Sequence, residues 1–563
     1  MTTPVVEKEK PVVEDDQIED KKGDDVVHLE SVDRVYTAAE WEKLLHEAEI
    51  AEDEEKNMPL WVAMRTYPKA MIWTFLVTMH FVMASFDGSI FGSIIALPAF
   101  REKYGVYSEK AAGYQLTASW QTGLGKAAGT GSFFGIIIGG WAQAKYGYRR
   151  TLQVGLVWLA GVIFITFFAK NIVMLFAGEL LSGMSFGAFT CSAMGYSSEI
   201  APVPLRGFLT TYIAFVNSFG QLLAAGIFRA MADIEGEWSY RIPFAVQWVW
   251  LIPLFIIATF APESPWFLVR CGRLLDAEKA VGRLGKTSDT RNPERIVAMM
   301  VRTNQHEKEK SSSMSYLECF KGTNLRRTEI ACVVMCFIPL CGDWFGGGGA
   351  YFFEQVGLST ANAFSFNMGL WAFACLGTVV SWFIIPHVGR RKLVMAGLFA
   401  LAFIVMIADA AQPLPCGNAH DRCQEGHHCL PAVLILVWIF VFNVAVAPLV
   451  YTLVGECSST RLRGQTIGIA RNTYILCALP VAFIANYSMN PSAWGWGTYA
   501  GLFWCGTCLT LPVWAYFRLP ETKGRSFREL DILFEDKVPA RQFSTTVVSR
   551  GFDEVDLAQE QPR

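Results

Sequence analysis

Twelve apolar runs constrain this chain more than any other feature. They fall at about residues 71–97, 120–142, 151–168, 172–193, 207–230, 241–260, 330–351, 364–386, 393–410, 431–451, 467–488 and 501–517. A run of about 20 apolar residues is what a helix needs to cross a bilayer. Inside lipid the backbone must satisfy its own hydrogen bonds, which the helix does within one segment. Only 18% of the 563 residues are charged and 52% are hydrophobic, too little charge to coat a soluble protein of this size. The predicted fold is therefore an all-α polytopic membrane protein with twelve transmembrane helices.

The net charge of −3 conceals a segregation of signs. Lys and Arg gather in alternate loops: KYGYRR (145–150), Arg206, VRCGR (269–273), GRRK (389–392) and STRLRG (459–464). Basic loops stay cytoplasmic, so both termini are expected inside and the loop 411–430 outside. Residues 1–57 are acidic, polar and without apolar period, the composition of a disordered tail. MPLWVAMRTYPKAM (58–71) reads as an interfacial lead-in, and no cleavable signal peptide is expected. Most of the 14 cysteines lie in spans as small apolar residues. The outer segment CGNAHDRCQEGHHC holds Cys416, Cys423 and Cys429, two of which are expected to form a disulfide in an oxidising compartment. Its spacing lacks a C-x₂₋₄-C pair, so no metal site is expected there.

The chain repeats itself. EIAPVPLRG (199–207) returns as ECSSTRLRG (456–464), PES (262–264) as PET (520–522), and KYGYRR as HVGRRK, all at similar offsets. The expected organisation is an N-tail (1–57), a six-helix half (58–260), a linker with short helices (261–329), a second half (330–517) and a C-tail (518–563). Two pseudo-symmetric six-helix halves with a site between them are an alternating-access arrangement.

WQTGLG, GELLSG, YSSEIAPVPLRGFLTTY, YRIPFAVQWVW, PESPW, GRRK, VGECSSTRLRGQT, ARN and LPETKGRSF together resemble the sugar-porter branch of the major facilitator superfamily. YFFEQVGLST, RTEIAC, NPSAW and ELDILFEDKVPARQF are similar, more narrowly, to fungal α-glucoside (maltose-type) permeases. The resemblance runs from about Met58 to Val547. It implies the major facilitator fold, solute transport, usually proton symport, a fungal plasma membrane and monomeric function. No cofactor and no nucleic-acid partner follow from it; the partners implied are a small solute, protons if the carrier is coupled, and the bilayer.

A Glu at one end of each half, Glu199 or Glu456, can pair with arginines of the GRR loops or with Arg206 and Arg463. Lys145, Arg149, Arg150, Arg390 and Arg391 complete a candidate inner gate of modest, breakable ion pairs. Ala144 and Tyr148 stand where the family usually has an acid and an Arg, which weakens the N-terminal set. In maltose-type symporters further acids are usual at the positions of Ala84 and Ser132. The amides that contact sugars are replaced by Ala214, Ile338 and Pro339. The remaining cavity candidates are Asn217, Gln221, Trp344, Asn443, Tyr451 and Tyr474, a more aromatic and less polar set than a maltose carrier implies.

Two aspartates, Asp87 and Asp343, sit at nearly the repeat offset on the first span of each half. A charged Asp at mid-membrane costs at least about 2.5–3.5 kcal/mol, so each is expected to face a wet cavity or a cation such as Lys126 or Arg471. Asp87 and Asp343 are candidates for substrate contact, and with Arg471 for proton coupling. The expected function is transport of a sugar or glycoside by alternating access. Two alternatives stand beside it: a carrier for a less polar fungal metabolite, and a non-transporting sugar sensor. No nucleophile–base set or phosphate-binding glycine motif points to an enzyme.

Overall fold

The computed structural model describes residues 58–95, 97–108, 113–231, 233–234, 236–285, 293–310, 316–342, 360–410, 429–459, 461–489 and 500–546, with a few isolated positions before residue 58. Span 1 is Pro68–Ile94; spans 2 to 6 are Ala118–Tyr146, Tyr148–Phe167, Ile172–Ile200, Val203–Met231 and Trp238–Phe260. Spans 7 to 9 are Gly322–Leu340, Thr360–Val388 and Arg390–Ala410, and spans 11 and 12 are Arg463–Met489 and Ala500–Arg518. Span 10 comes in two pieces, Cys429–Ala445 and Ala447–Cys457. Eight of the twelve are long and apolar enough to cross a membrane on length and composition alone. The other four, spans 2, 7, 9 and 12, complete the bundle.

Local sequence explains where these helices bend. Pro448 cannot donate to the helix ladder, and span 10 breaks just before it at Val446 (φ −112°, ψ −62°). In span 1, the Thr74 and Thr78 hydroxyls donate to the carbonyls of Ala70 and Thr74, at 2.8 and 2.7 Å. Such back-bonding bends helices slightly, and the ladder loosens at Met79.

Spans 2 and 4 form the tightest seam. A Cβ on Gly131 would lie 1.9 Å from the Leu180 carbonyl oxygen, and one on Gly135 would lie 2.0 Å from that of Met184. Only glycine allows this approach, and small residues four apart are how helices pack closely in lipid. Ser132 belongs to the seam too, its hydroxyl donating to the Gly183 carbonyl at 3.0 Å. The residue that replaces a family acid is thus engaged in helix packing.

The two halves meet along span 2 against span 11 and span 5 against spans 8 and 10. The end of the bundle where span 1 begins and span 12 finishes is called the linker end below. There the short helices Pro265–Arg270, Leu274–Leu284 and Pro293–Lys310 lie between the halves in sequence, and a tail helix, Phe527–Glu535, follows span 12. A hydrophobic cluster of Trp266, Phe267, Val281, Met300 and Phe527 joins them. At the far end, between spans 1 and 2, the chain forms a helix, Pro98–Tyr104, and a hairpin pairing Val106–Ser108 with Gly113–Gln115. The apolar run alone did not anticipate these; Pro98 starts the helix, and Tyr107 and Tyr114 pair across the strands with rings 5.6 Å apart. The outer-loop positions Cys416 and Cys423 lie outside the described residues. So does the side chain of Cys429, and the expected disulfide with it.

Candidate functional site

At the linker end the same construction occurs twice. Span 3 starts after Gly147 (φ +87°) and span 9 after Gly389 (φ +92°), a left-handed conformation that favours glycine. The first N–H groups of a helix have no partner within it. Here Glu263 accepts from the backbone N–H groups of Tyr148 (3.0 Å) and Arg149 (3.2 Å). Glu521 accepts from those of Arg390 (3.0 Å) and Arg391 (3.1 Å). Burial pushes the Glu263 carboxyl above the ordinary range, while the N–H groups of Ser264, Arg149 and Tyr148 pull it back down. The glutamates of PES and PET therefore cap spans 3 and 9, an arrangement for which the repeat itself was the sequence signal.

The next residue of each motif reaches the candidate gate glutamate. Ser264 donates to Glu199, and Thr522 donates to Glu456 at 2.5 Å. Arg390 donates to Glu456 at 3.1 Å with both side chains buried. Opposite Glu199 the residue corresponding to Arg390 is Tyr148, whose hydroxyl lies 3.2 Å from Glu199. The cation comes instead from Arg270, at 2.9 Å. The N-terminal set thus keeps its ion pair with an arginine from the linker, which the sequence reading did not include.

Arg206 and Arg463 both reach the tail helix. Their guanidinium carbons lie 3.5 and 4.1 Å from the centre of one ring, Phe527 of the tail helix. Two guanidinium groups so close to one ring centre cannot share a face, so the ring is held between a residue of each half. Phe527 is placed by a capping box at Ser526 and Glu529 and is buried beside Trp266. The tail helix is also held by a buried ion pair, Arg327 with Asp531 at 2.6 Å. Of the other gate candidates, Lys145 lies over the rings of Trp141 and Tyr146. Arg150 is exposed, and the Arg391 side chain donates to the Tyr516 carbonyl at 2.6 Å.

Between the halves, the polar candidates are largely engaged in helix contacts. Asn217 accepts from Ser85 at 2.8 Å and Gln221 from Ser89 at 3.3 Å, joining spans 5 and 1. Asn443 accepts from Ser218 at 3.2 Å, joining span 10 to span 5. Nearer the linker end, Thr210 and Thr452 meet at 2.8 Å across the same pair of spans. Tyr451 is buried, and Arg471 lies 4.3 Å over the Tyr474 ring. Asp343 and Trp344 lie outside the described residues. Asp87 is 2% exposed and accepts from Gln247 of span 6 at 2.8 Å. Beside it is a second acid, Glu179 of span 4, 1% exposed. The motif GELLSG contained it, but only packing brings it to Asp87.

The family model for "Sugar (and other) transporter" matches residues 73–534. The chain belongs to that family. The maltose permease MAL31 of Saccharomyces cerevisiae is 37% identical to this transporter over 516 residues, 90% of this chain and 82% of that one. The alpha-glucosides permease MPH3 of the same species is 35% identical over 551 residues, 95% of this chain and 90% of that one. The solved structure of the proton:xylose symporter XylE bound to 6-bromo-6-deoxy-D-glucose superposes with a TM-score of 0.71. At 18% identity, covering 83% of this chain and 99% of that one, it shows a shared fold. This transporter is a multi-pass membrane protein with the twelve-helix major facilitator fold.

Proposed function

We propose that this transporter carries an α-glucoside or related sugar across the plasma membrane by alternating access, with its linker end and both termini in the cytoplasm. The observation that carries the reading is the duplicated linker-end assembly, in a chain more than a third identical to a maltose permease. Glu199 with Arg270, and Glu456 with Arg390, hold the two ends of the gate, and Phe527 joins them through Arg206 and Arg463. Opening inward requires the halves to part at Thr210 and Thr452 and around Phe527. Proton coupling runs through Asp87, a buried carboxyl in the far half of span 1. The engagement of Asn217, Gln221 and Asn443 in helix contacts favours a second reading, a less polar substrate, because it leaves fewer amides for sugar hydroxyls.

A radiolabelled uptake panel at two pH values tests the function. Expressing cells are given glucose, maltose, a longer α-glucoside and a lipophilic glycoside. Uptake of maltose or the α-glucoside, increased at acid pH and lost with an uncoupler, is the expected result. Uptake of the lipophilic glycoside alone selects the second reading. Binding without flux in reconstituted vesicles would overturn transport altogether.

A further inference from the structure

Asp87 and Glu179 occupy matching depths. Span 1 runs toward the far end and span 4 away from it, and each acid lies seven residues from the far end of its span, about 10 Å along the helix. Both side chains are buried, and each carboxyl lies close enough to act on the other. Gln247 donates to Asp87 Oδ1. Among the described residues, no N–H or hydroxyl donor reaches Asp87 Oδ2 or either Glu179 oxygen.

An ionised carboxylate only accepts hydrogen bonds. Two of them in contact, out of water, would leave three oxygens unsatisfied and two like charges together. One proton between them removes both problems, because the protonated acid donates to the other. The surrounding helices offer no competing explanation among the described residues. The charged side chains Arg149, Arg150, Glu199, Arg206, Arg229 and Arg241 sit toward helix ends. Lys126 of span 2 is half-buried at a similar depth, yet the groups acting on the two carboxyls are each other and Gln247. His80, two turns before Asp87, is bonded to the carbonyls of Val77 and Phe189.

We propose that Asp87 and Glu179 form one proton site: a single proton bridges the two carboxyls, and it is the proton that the transporter takes up and releases in its cycle. This rests on the reading of the chain as a proton-coupled carrier and adds the second acid to it. The proton is taken from water on the outer side while spans 1 and 4 hold the carboxyls together. It passes to water on the inner side when the inward-facing cavity hydrates and separates them. No other bond changes.

Infrared spectra of the purified protein and pH profiles of uptake test the two clauses. Wild type at neutral pH is expected to show a protonated-carboxyl carbonyl band that Glu179→Gln loses and Glu179→Asp keeps. Glu179→Gln is also expected to move the uptake profile to acid by a pH unit or more, about a tenfold loss at neutral pH. If Glu179→Gln fails to reach the membrane, Asp87→Asn replaces it and should shift the band to that of an isolated acid. An unchanged band in these variants overturns the shared proton. A lost band with an unchanged pH profile overturns its exchange. Wild-type uptake indifferent to pH and uncoupler overturns the coupling reading itself, while the band still measures the sharing.

Discussion

The guanidinium of Arg463 is fully buried and lies 4.1 Å from the centre of the Phe527 ring. With Arg206 at 3.5 Å on the other face, one tail side chain ties the two halves together at the linker end. A desolvated cation–π contact contributes about 2 kcal/mol, and at least one of the two must break if the halves separate here. Phe527→Leu keeps an apolar side chain but removes the quadrupole. It is expected to shift the equilibrium toward the form open at the linker end by about ten- to a hundredfold. Distances between spin labels at the linker ends of the halves should lengthen in the variant. An unchanged distribution would show that the ring only fills space.

The two linker-end ion pairs differ in origin and should respond alike. Arg270→Ala leaves Glu199 buried beside Ser264 and Tyr148, and Arg390→Ala leaves Glu456 beside Thr522. Removing one partner of a buried pair costs about 3–5 kcal/mol. Each variant should therefore lose most of its uptake and show a lower Tm in detergent. Tyr148→Arg places a cation where the C-terminal half has Arg390. The double variant Arg270→Ala with Tyr148→Arg should recover much of the uptake, whereas Arg390→Ala should gain nothing from the same change.

Much of this fold was legible because lipid leaves so few choices. The twelve apolar runs locate the helices, and the repeated EIAPVPLRG, PES and GRR segments locate the linker-end assembly. Three elements of the candidate site were not legible, each for a physical reason. Arg270 replaces the missing arginine at Tyr148 from a linker helix, and nothing in local spacing says that the linker folds back onto span 4. Phe527 lies beyond the last span, where an aromatic residue signals neither helix nor site. Glu179 sat within a recognised motif, but its meeting with Asp87 depends on how spans 1 and 4 pack. The hairpin before span 2 was missed because the apolar run hides the short polar segment that follows it.

The span 2–span 4 seam makes a steric prediction. Gly131→Val would place a branched side chain against the Leu180 carbonyl, where even a Cβ would lie at 1.9 Å. Backbone cannot yield by that amount without separating the helices. Gly131→Val should therefore fail to accumulate at the cell surface. Gly161→Val on span 3, where a Cβ meets nothing within 4 Å, should accumulate like wild type. Surface biotinylation of the two variants decides this, and normal levels of Gly131→Val would mean that the seam is looser than its geometry.

The capping glutamates offer a test that separates stability from gating. Glu263 and Glu521 each accept two backbone N–H bonds at the start of a span. Hydrogen bonds to a charged group contribute about 1.5–3 kcal/mol each, and removing one partner leaves buried donors unsatisfied. A Gln at either position keeps the length and one acceptor oxygen but loses the charge that complements the helix N-terminus. Glu263→Gln and Glu521→Gln should each lower stability by about 1–3 kcal/mol, by similar amounts because the two sites share one geometry. The loss should appear as a lower Tm without a change in the pH dependence of the uptake that remains. Ala in place of either Glu removes both acceptors and should cost more. A Glu521 variant that lowers Tm while the Glu263 variant does not would show that the duplicated geometry is not energetically duplicated.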